Sequence, residues 1–174
     1  MSPRAVLIGP PGVGKTTVAG ILAGRLGVAV RDTDVDVERL AGKPVPDIFV
    51  DDGEPAFREW ESAAVTRALA EHEGVLALGA GAVMNPLTEQ ALAGHPVAFL
   101  DVQLTDAMKR VGLNRDRPLL LGNPRAQWMR LMEARRPVYT RVATATVATD
   151  GLTPEEIADR VIEALQLQGA GGAR

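Results

Sequence analysis

Ala5-Val6-Leu7-Ile8-Gly9-Pro10-Pro11-Gly12-Val13-Gly14-Lys15-Thr16 joins an apolar run, a glycine-rich loop and a Lys-Thr pair. Ala5 to Ile8 reads as a buried strand, and Thr17-Val18-Ala19-Gly20-Ile21-Leu22 begins an apolar helical pattern. Strand, loop and helix in this order are what the eight-position phosphate-binding loop requires. Its glycines let successive backbone N–H groups turn inward toward one anion. Lys15 supplies a point charge for the β- and γ-phosphates, and the Thr16 hydroxyl is placed to ligate Mg²⁺. The following helix aims the positive end of its dipole at the same spot. The stretch predicts a nucleoside triphosphate site.

A chain of 174 residues is one domain's worth. We expect a single domain over residues 1–168 and a flexible tail over 169–174, where Gly169-Ala170-Gly171-Gly172-Ala173-Arg174 has little to bury. Hydrophobic residues make up 46% and charged residues 24%, an ordinary globular balance, while 3% aromatic leaves the core to Val, Leu, Ile and Ala. The net charge of −3 gives no electrostatic footprint for nucleic acid or an anionic membrane, so any anion site is a local cluster. With no cysteine there is no disulfide framework, which fits a reducing cytoplasm. No run approaches the roughly 20 apolar residues of a membrane span. Nothing advertises a partner surface, so a monomer is the default expectation.

Further apolar runs at Val28–Val30, Val75–Leu78, Val97–Val102 and Val142–Ala148 read as buried parallel strands. Helical patterns at Pro86–Ala93, Thr105–Val111 and Arg125–Arg136 separate the later ones, which argues for βα units with right-handed crossovers. The clearest helix runs from about Glu54 to His72, with Phe57, Trp60, Ala64, Val65, Ala68 and Leu69 on one face and Gly74 as its stop. Thr153-Pro154-Glu155-Glu156 is a capping box with Pro at the first helical position, opening a last helix that buries Ile157, Val161, Ile162 and Leu165. The expected class is a three-layer α/β domain. Residues from about 112 to 124, rich in Asn, Arg, Asp, Pro and Gly, break the pattern; arginine there suits a lid closing on transferring phosphate.

Asp32-Thr33-Asp34 closes the second run, at the carboxyl end of a strand where open α/β sheets bind ligands. The two carboxylates could divide between metal and acceptor hydroxyl, or Asp34 could simply cap the helix that follows. Arg58 and Glu61, three apart on the long helix, form either an exposed ion pair worth little or an arginine held to meet a substrate carboxylate in two-point fashion. Arg135 and Arg136, before Pro137, pose the same choice, with favourable placement at a helix end as the plainer account. Gly79-Ala80-Gly81-Ala82 after the third strand could admit a ligand close to backbone N–H groups. His72 and His95 sit beside turn residues without a partner pattern and read as surface residues.

Taken together, these residues resemble the shikimate kinase family over nearly the whole chain. The phosphate loop alone is common to many NTPases. Its conjunction with Asp32-Thr33-Asp34, Phe57-Arg58-x-x-Glu61, the Gly79 to Gly81 turn, Arg117-Pro118-Leu119-Leu120 and Arg135-x-Pro137-x-Tyr139 is far more specific. The resemblance implies a parallel five-stranded sheet of the nucleoside-monophosphate-kinase type, ATP and shikimate as substrates, and Mg²⁺ as cofactor. It implies catalytic roles for Lys15, Asp34 and Arg117, and ATP contacts from Gly12, Val13, Gly14, Lys15, Thr16, Thr17, Arg110, Arg117 and Pro154. Thr16 and Asp32 would hold the metal. Asp34, Phe49, Phe57, Arg58, Gly79, Ala80, Gly81 and Arg135 would bind shikimate. The chain departs from the family at three points: Ala80 stands in the middle of the glycine turn, the segment before Arg135 is about one residue short, leaving Arg136 as fallback, and Leu152 replaces a frequent arginine. Rival readings are a related kinase for gluconate and a nucleotide-binding module without catalysis.

Overall fold

The computed structural model describes residues 2–111 and 123–169. Five short strands form one sheet: β1 (Ala5–Ile8), β2 (Val30–Asp32), β3 (Val75–Ala77), β4 (Val97–Asp101) and β5 (Ala145–Ala148). All pairings are parallel, in the order β2-β3-β1-β4-β5. β1, β3 and the first four residues of β4 are wholly buried, which is why their sequences are continuous apolar runs rather than alternating ones. The helices are α1 (Lys15–Leu26), α2 (Thr33–Ala41), α3 (Val45–Asp51), α4 (Glu54–Glu71), α5 (Pro86–Ala91), α6 (Leu104–Val111), α7 (Pro124–Val142) and α8 (Pro154–Leu165). They cover both faces, giving the α/β/α layers of a P-loop fold. α1 packs beside α8, and Val18, Ala19, Leu22, Ile157 and Val161 bury against the strands.

The register positions the site. Leu7 and Asp32 both pair with Ala77, and Ile8 pairs with Phe99. The loops leaving β1, β2, β3 and β4 therefore emerge at one edge of the sheet, within reach of one ligand. Gly9 is required there: its φ is +152°, and a Cβ would lie 2.6 Å from the Leu100 carbonyl oxygen on the neighbouring strand.

Several boundaries differ from those the sequence suggests. β2 begins at Val30, where Val28 had been expected, and runs through Arg31 and Asp32. It is an edge strand with Val30 half-exposed, so apolar continuity does not mark it. α7 passes through Pro137 to Val142, where a stop before the proline was expected. Pro137 removes the N–H that would bond Glu133, but both residues face solvent, where water can satisfy that carbonyl. Asn123 caps α7 and Pro124 is its first residue, so the irregular stretch does not extend to 124; the remainder of the expected lid, 112–122, lies outside the described residues. On α4, Trp60 is 38% exposed and Glu61 takes its place in the buried stripe. Gly74 is not a left-handed cap. It permits close strand approach, since a Cβ would meet the Ala29 carbonyl. His72 and His95 are half-buried, and the His72 ring is hydrogen-bonded with the Val75 carbonyl. The capping box at Thr153 and Glu156 forms as read, with both reciprocal bonds present.

Leu7 is fully buried in the central strand. Leu7→Ala should lower unfolding free energy by about 2–5 kcal/mol through lost burial and the cavity left behind. Urea denaturation checks this; a loss below about 1 kcal/mol would contradict the core assignment.

Candidate active site

The loop from Gly9 to Gly14 wraps the start of α1. Gly14 is the helix N-cap with φ +93°, a left-handed conformation that disfavours any side chain. No side chain caps this helix end, so its first N–H groups are left to face an anion. Lys15 Nζ donates to the carbonyls of Gly9 at 2.8 Å and Pro10 at 3.0 Å, folding the ammonium over the loop. The adjoining cavity, about 320 Å³, is lined by Gly12, Gly14, Lys15, Thr16 and Thr17 on one side and by Asp32, Asp34, Leu78 and Ala80 on the other.

Asp32 ties the two sides together. Its Oδ2 accepts from the Thr16 hydroxyl at 2.7 Å and its Oδ1 accepts from the Asp34 backbone N–H at 2.9 Å. The cap of α2 is thus Asp32, not Asp34, and capping leaves the Asp34 carboxylate in the cavity lining. A hydroxyl and a carboxylate in contact beside a phosphate loop suit Mg²⁺, which takes one or two protein oxygens and otherwise phosphate and water. Among the described residues no group of three or more His, Cys, Asp or Glu side chains could hold a metal ion.

A second cavity of about 360 Å³ lies beyond the β3 turn, lined by Arg58, Glu61, Gly81, Arg135 and neighbours from α4 and α5. Glu61 is 4% exposed and receives Arg58 Nη1 at 2.8 Å, while Glu54 receives Nη2 at 3.3 Å. The pair is therefore not the exposed one that helix spacing alone allowed. Burial pushes the Glu61 carboxyl above the usual carboxylate range, and Arg58 and Arg135 only partly pull it back. Burial also works against the Arg58 charge, but Glu61 and Glu54 outweigh it and hold the guanidinium above its ordinary value. The Phe57 ring lies 5.2 Å beneath the guanidinium and 4.6 Å from the ring of Phe49, which is 37% exposed.

The β3 turn separates the cavities and explains its glycines. A Cβ on Gly79 would lie 2.8 Å from both Asp34 Oδ1 and Glu61 Oε2; one on Gly81 would lie 2.6 and 2.7 Å from the Arg58 terminal nitrogens. The Gly79 N–H donates to the buried Thr33 hydroxyl at 3.1 Å, locking the turn to the start of α2. Ala80, between the glycines, lines the phosphate-side cavity rather than the arginine-lined one.

Arg135 and Arg136 divide. Arg135 lines the second cavity, whereas Arg136 reaches Asp101 Oδ1 at 2.9 Å and the Val102 carbonyl at 3.3 Å, anchoring α7 to the end of β4. Asp101 as the Arg136 partner was not anticipated; a lone acidic residue ending a strand gives little signal. Arg110 donates to the Val13 carbonyl at 3.3 Å and to the Thr149 carbonyl at 3.1 Å, bridging the phosphate loop and the end of β5. Pro154, exposed at the start of α8, follows a loop that Asp106 of α6 holds through the Gly151 N–H. Arg117 lies outside the described residues.

A phosphate loop and an arginine-lined pocket meeting across one carboxylate-bearing edge define an ATP-dependent phosphotransferase of the P-loop class. The model of the family described as shikimate kinase matches residues 11–166. The chain is 57% identical over 168 residues to a shikimate kinase of Streptomyces avermitilis, covering 97% of this chain and 98% of that one. It is 54% identical over 173 residues to a shikimate kinase of Saccharopolyspora erythraea, covering 99% of each. In structure it is similar to shikimate kinase from Acinetobacter baumannii in complex with shikimate, with a TM-score of 0.88 and 30% identity over 95% of this chain and 93% of that one. The chain belongs to the shikimate kinase family.

Gly81→Ala should displace the Arg58 guanidinium and leave the buried Glu61 carboxylate less well paired. The expected result is a thermal midpoint lowered by a few degrees with a Michaelis constant for the acceptor raised about tenfold or more. An unchanged constant would show that Arg58 is not held where the acceptor binds.

Proposed function

We propose that this chain transfers the γ-phosphoryl group of ATP to the 3-hydroxyl of shikimate, giving shikimate 3-phosphate. The single supporting observation is the pair of cavities meeting at Asp34 and Gly79: one fits a triphosphate, the other carries two arginines for a small carboxylate. No helix among the described residues is long and apolar enough to cross a membrane, and net charge −3 with no cysteine suits an enzyme of the cytoplasm.

The backbone N–H groups from Gly12 to Thr17 and the Lys15 ammonium hold the phosphates. Thr16 and Asp32 would hold Mg²⁺, whose charge when bound offsets that of the phosphates. Arg58, fixed by Glu61, and Arg135 grip the shikimate carboxylate, so the ring is oriented by a charge-assisted clamp. Phe49 and Phe57 give that clamp an apolar flank, and the Gly79-Ala80-Gly81 turn brings backbone against the ring. Arg110 and the loop before Pro154 border the adenine. Asp34 orients the 3-hydroxyl and takes its proton late, as the bond to phosphorus forms. A strong base is unnecessary because phosphoryl transfer runs through a loose transition state in which positioning and charge neutralisation do most of the work.

Coupled ADP release with Mg·ATP and either shikimate or gluconate tests the acceptor. Turnover is expected with shikimate only; turnover with gluconate only would overturn the reading, and ATP binding without acceptor-dependent ADP release would indicate a non-catalytic module. Arg58→Ala should raise the Michaelis constant for shikimate about 10- to 100-fold, as for loss of a hydrogen bond to a charged group, while that for ATP stays within about twofold. Equal effects on both substrates would contradict the clamp.

A further inference from the structure

Tyr139 is fully buried on α7, with its ring stacked 4.9 Å from that of Phe99 in β4. Phe99 is itself fully buried and pairs with Ile8, so the sheet core fixes the phenol ring. The hydroxyl leaves this apolar packing at one end and donates to the Ala80 carbonyl at 2.5 Å. Arg135, one helical turn earlier on α7, stands on the same side of the helix, close enough for its charge to draw the phenol pKa down. Burial holds the Tyr139 pKa above its ordinary value despite Arg135, so the donor proton is retained at neutral pH.

We infer that Tyr139 is a positioning residue that sets the acceptor pocket by holding the Gly79-Ala80-Gly81 turn through its hydroxyl group. The turn and α7 are different elements, and Gly81 of the one and Arg135 of the other both border the cavity that Arg58 enters. The turn has no slack: Gly81 runs so close to Arg58 that a Cβ would strike its terminal nitrogens. A shift of the turn therefore moves Arg58 as well and changes its separation from the Arg135 guanidinium. Ala80 itself borders the phosphate-side cavity, but the close contact that the turn makes is that of Gly81 with Arg58, so the larger effect falls on acceptor binding. The inference rests on the carboxylate clamp proposed above.

Tyr139→Phe keeps the stacked ring and removes only the hydroxyl. The expected outcome is a Michaelis constant for shikimate raised about tenfold, with kcat and the constant for ATP within about twofold. In an Arg58→Ala background the same substitution should change the shikimate constant less than about twofold, because the guanidinium that the turn positions is gone. Full, independent effects in both backgrounds would overturn the coupling, and an unchanged constant in the single variant would overturn the role. If Arg58→Ala alone leaves the shikimate constant unchanged, the clamp itself has failed rather than the positioning.

A second measurement does not depend on Tyr139→Phe folding. Tyr139 is the sole tyrosine of the chain, so growth on 3-fluorotyrosine labels this position alone. Saturating shikimate should shift the single ¹⁹F resonance, and Arg58→Ala should abolish most of that shift. A resonance insensitive to shikimate in the unmutated chain would contradict the inference.

Discussion

Everything at the carboxyl edge of the sheet depends on the Asp32 carboxylate. One oxygen takes the Thr16 hydroxyl from the phosphate loop and the other takes the Asp34 N–H from the first turn of α2. The phosphate loop and the start of α2, which carries Asp34, are thereby fixed to a single group at the end of β2. Because capping falls to Asp32, Asp34 is spared for the cavity. The sheet supplies the other half of the constraint, since the Asp32–Ala77 and Leu7–Ala77 register brings β1, β2 and β3 to the same level before their loops begin.

The arginine-lined cavity is built on a different principle, that of charged groups kept short of water. Glu61 occupies a core position on α4, where an apolar residue would ordinarily stand, and is tolerated because Arg58 shares its hydrogen bond. Such a pair gives little net stability but holds a guanidinium in one orientation. The neighbouring glycines leave room for it, and Phe57 supports it from below. Arg136 serves the scaffold by pinning α7 to Asp101, which frees Arg135 for the pocket. Two adjacent arginines thus have unlike tasks for a reason visible in the helix: successive residues point about 100° apart.

The strand-loop-helix of Ala5 to Leu22 was legible because local patterning and turn chemistry agree there, and the five strands and the capping box at Thr153 followed from the same kind of signal. Edges and helix ends were less legible. β2 is a three-residue edge strand whose burial comes from one side, α3 is only seven residues long, and α7 tolerates Pro137 because the affected carbonyl faces water. Glu61 was visible as a partner of Arg58, but its burial was not; helix spacing cannot say which face a neighbouring helix covers. The choice between Arg135 and Arg136 likewise needed the position of Asp101, 34 residues before Arg135 and invisible to local pattern. Tyr139 stood in the Arg-x-Pro-x-Tyr motif, yet its hydroxyl acquires meaning only through the carbonyl of Ala80, a contact between distant segments.

The division of labour between Asp32 and Asp34 is the centre of this account, and single-turnover phosphoryl transfer by Asp34→Asn, with nucleotide and shikimate affinities measured on the same protein, tests it most directly. ATP affinity should stay within about twofold of wild type because Asp32 still holds Thr16 and the turn into α2. The transfer step should fall by about 10²–10⁴-fold, the range for loss of a positioned proton acceptor. Transfer at the wild-type rate, or a loss of ATP affinity that accounts for the whole decline, would contradict it.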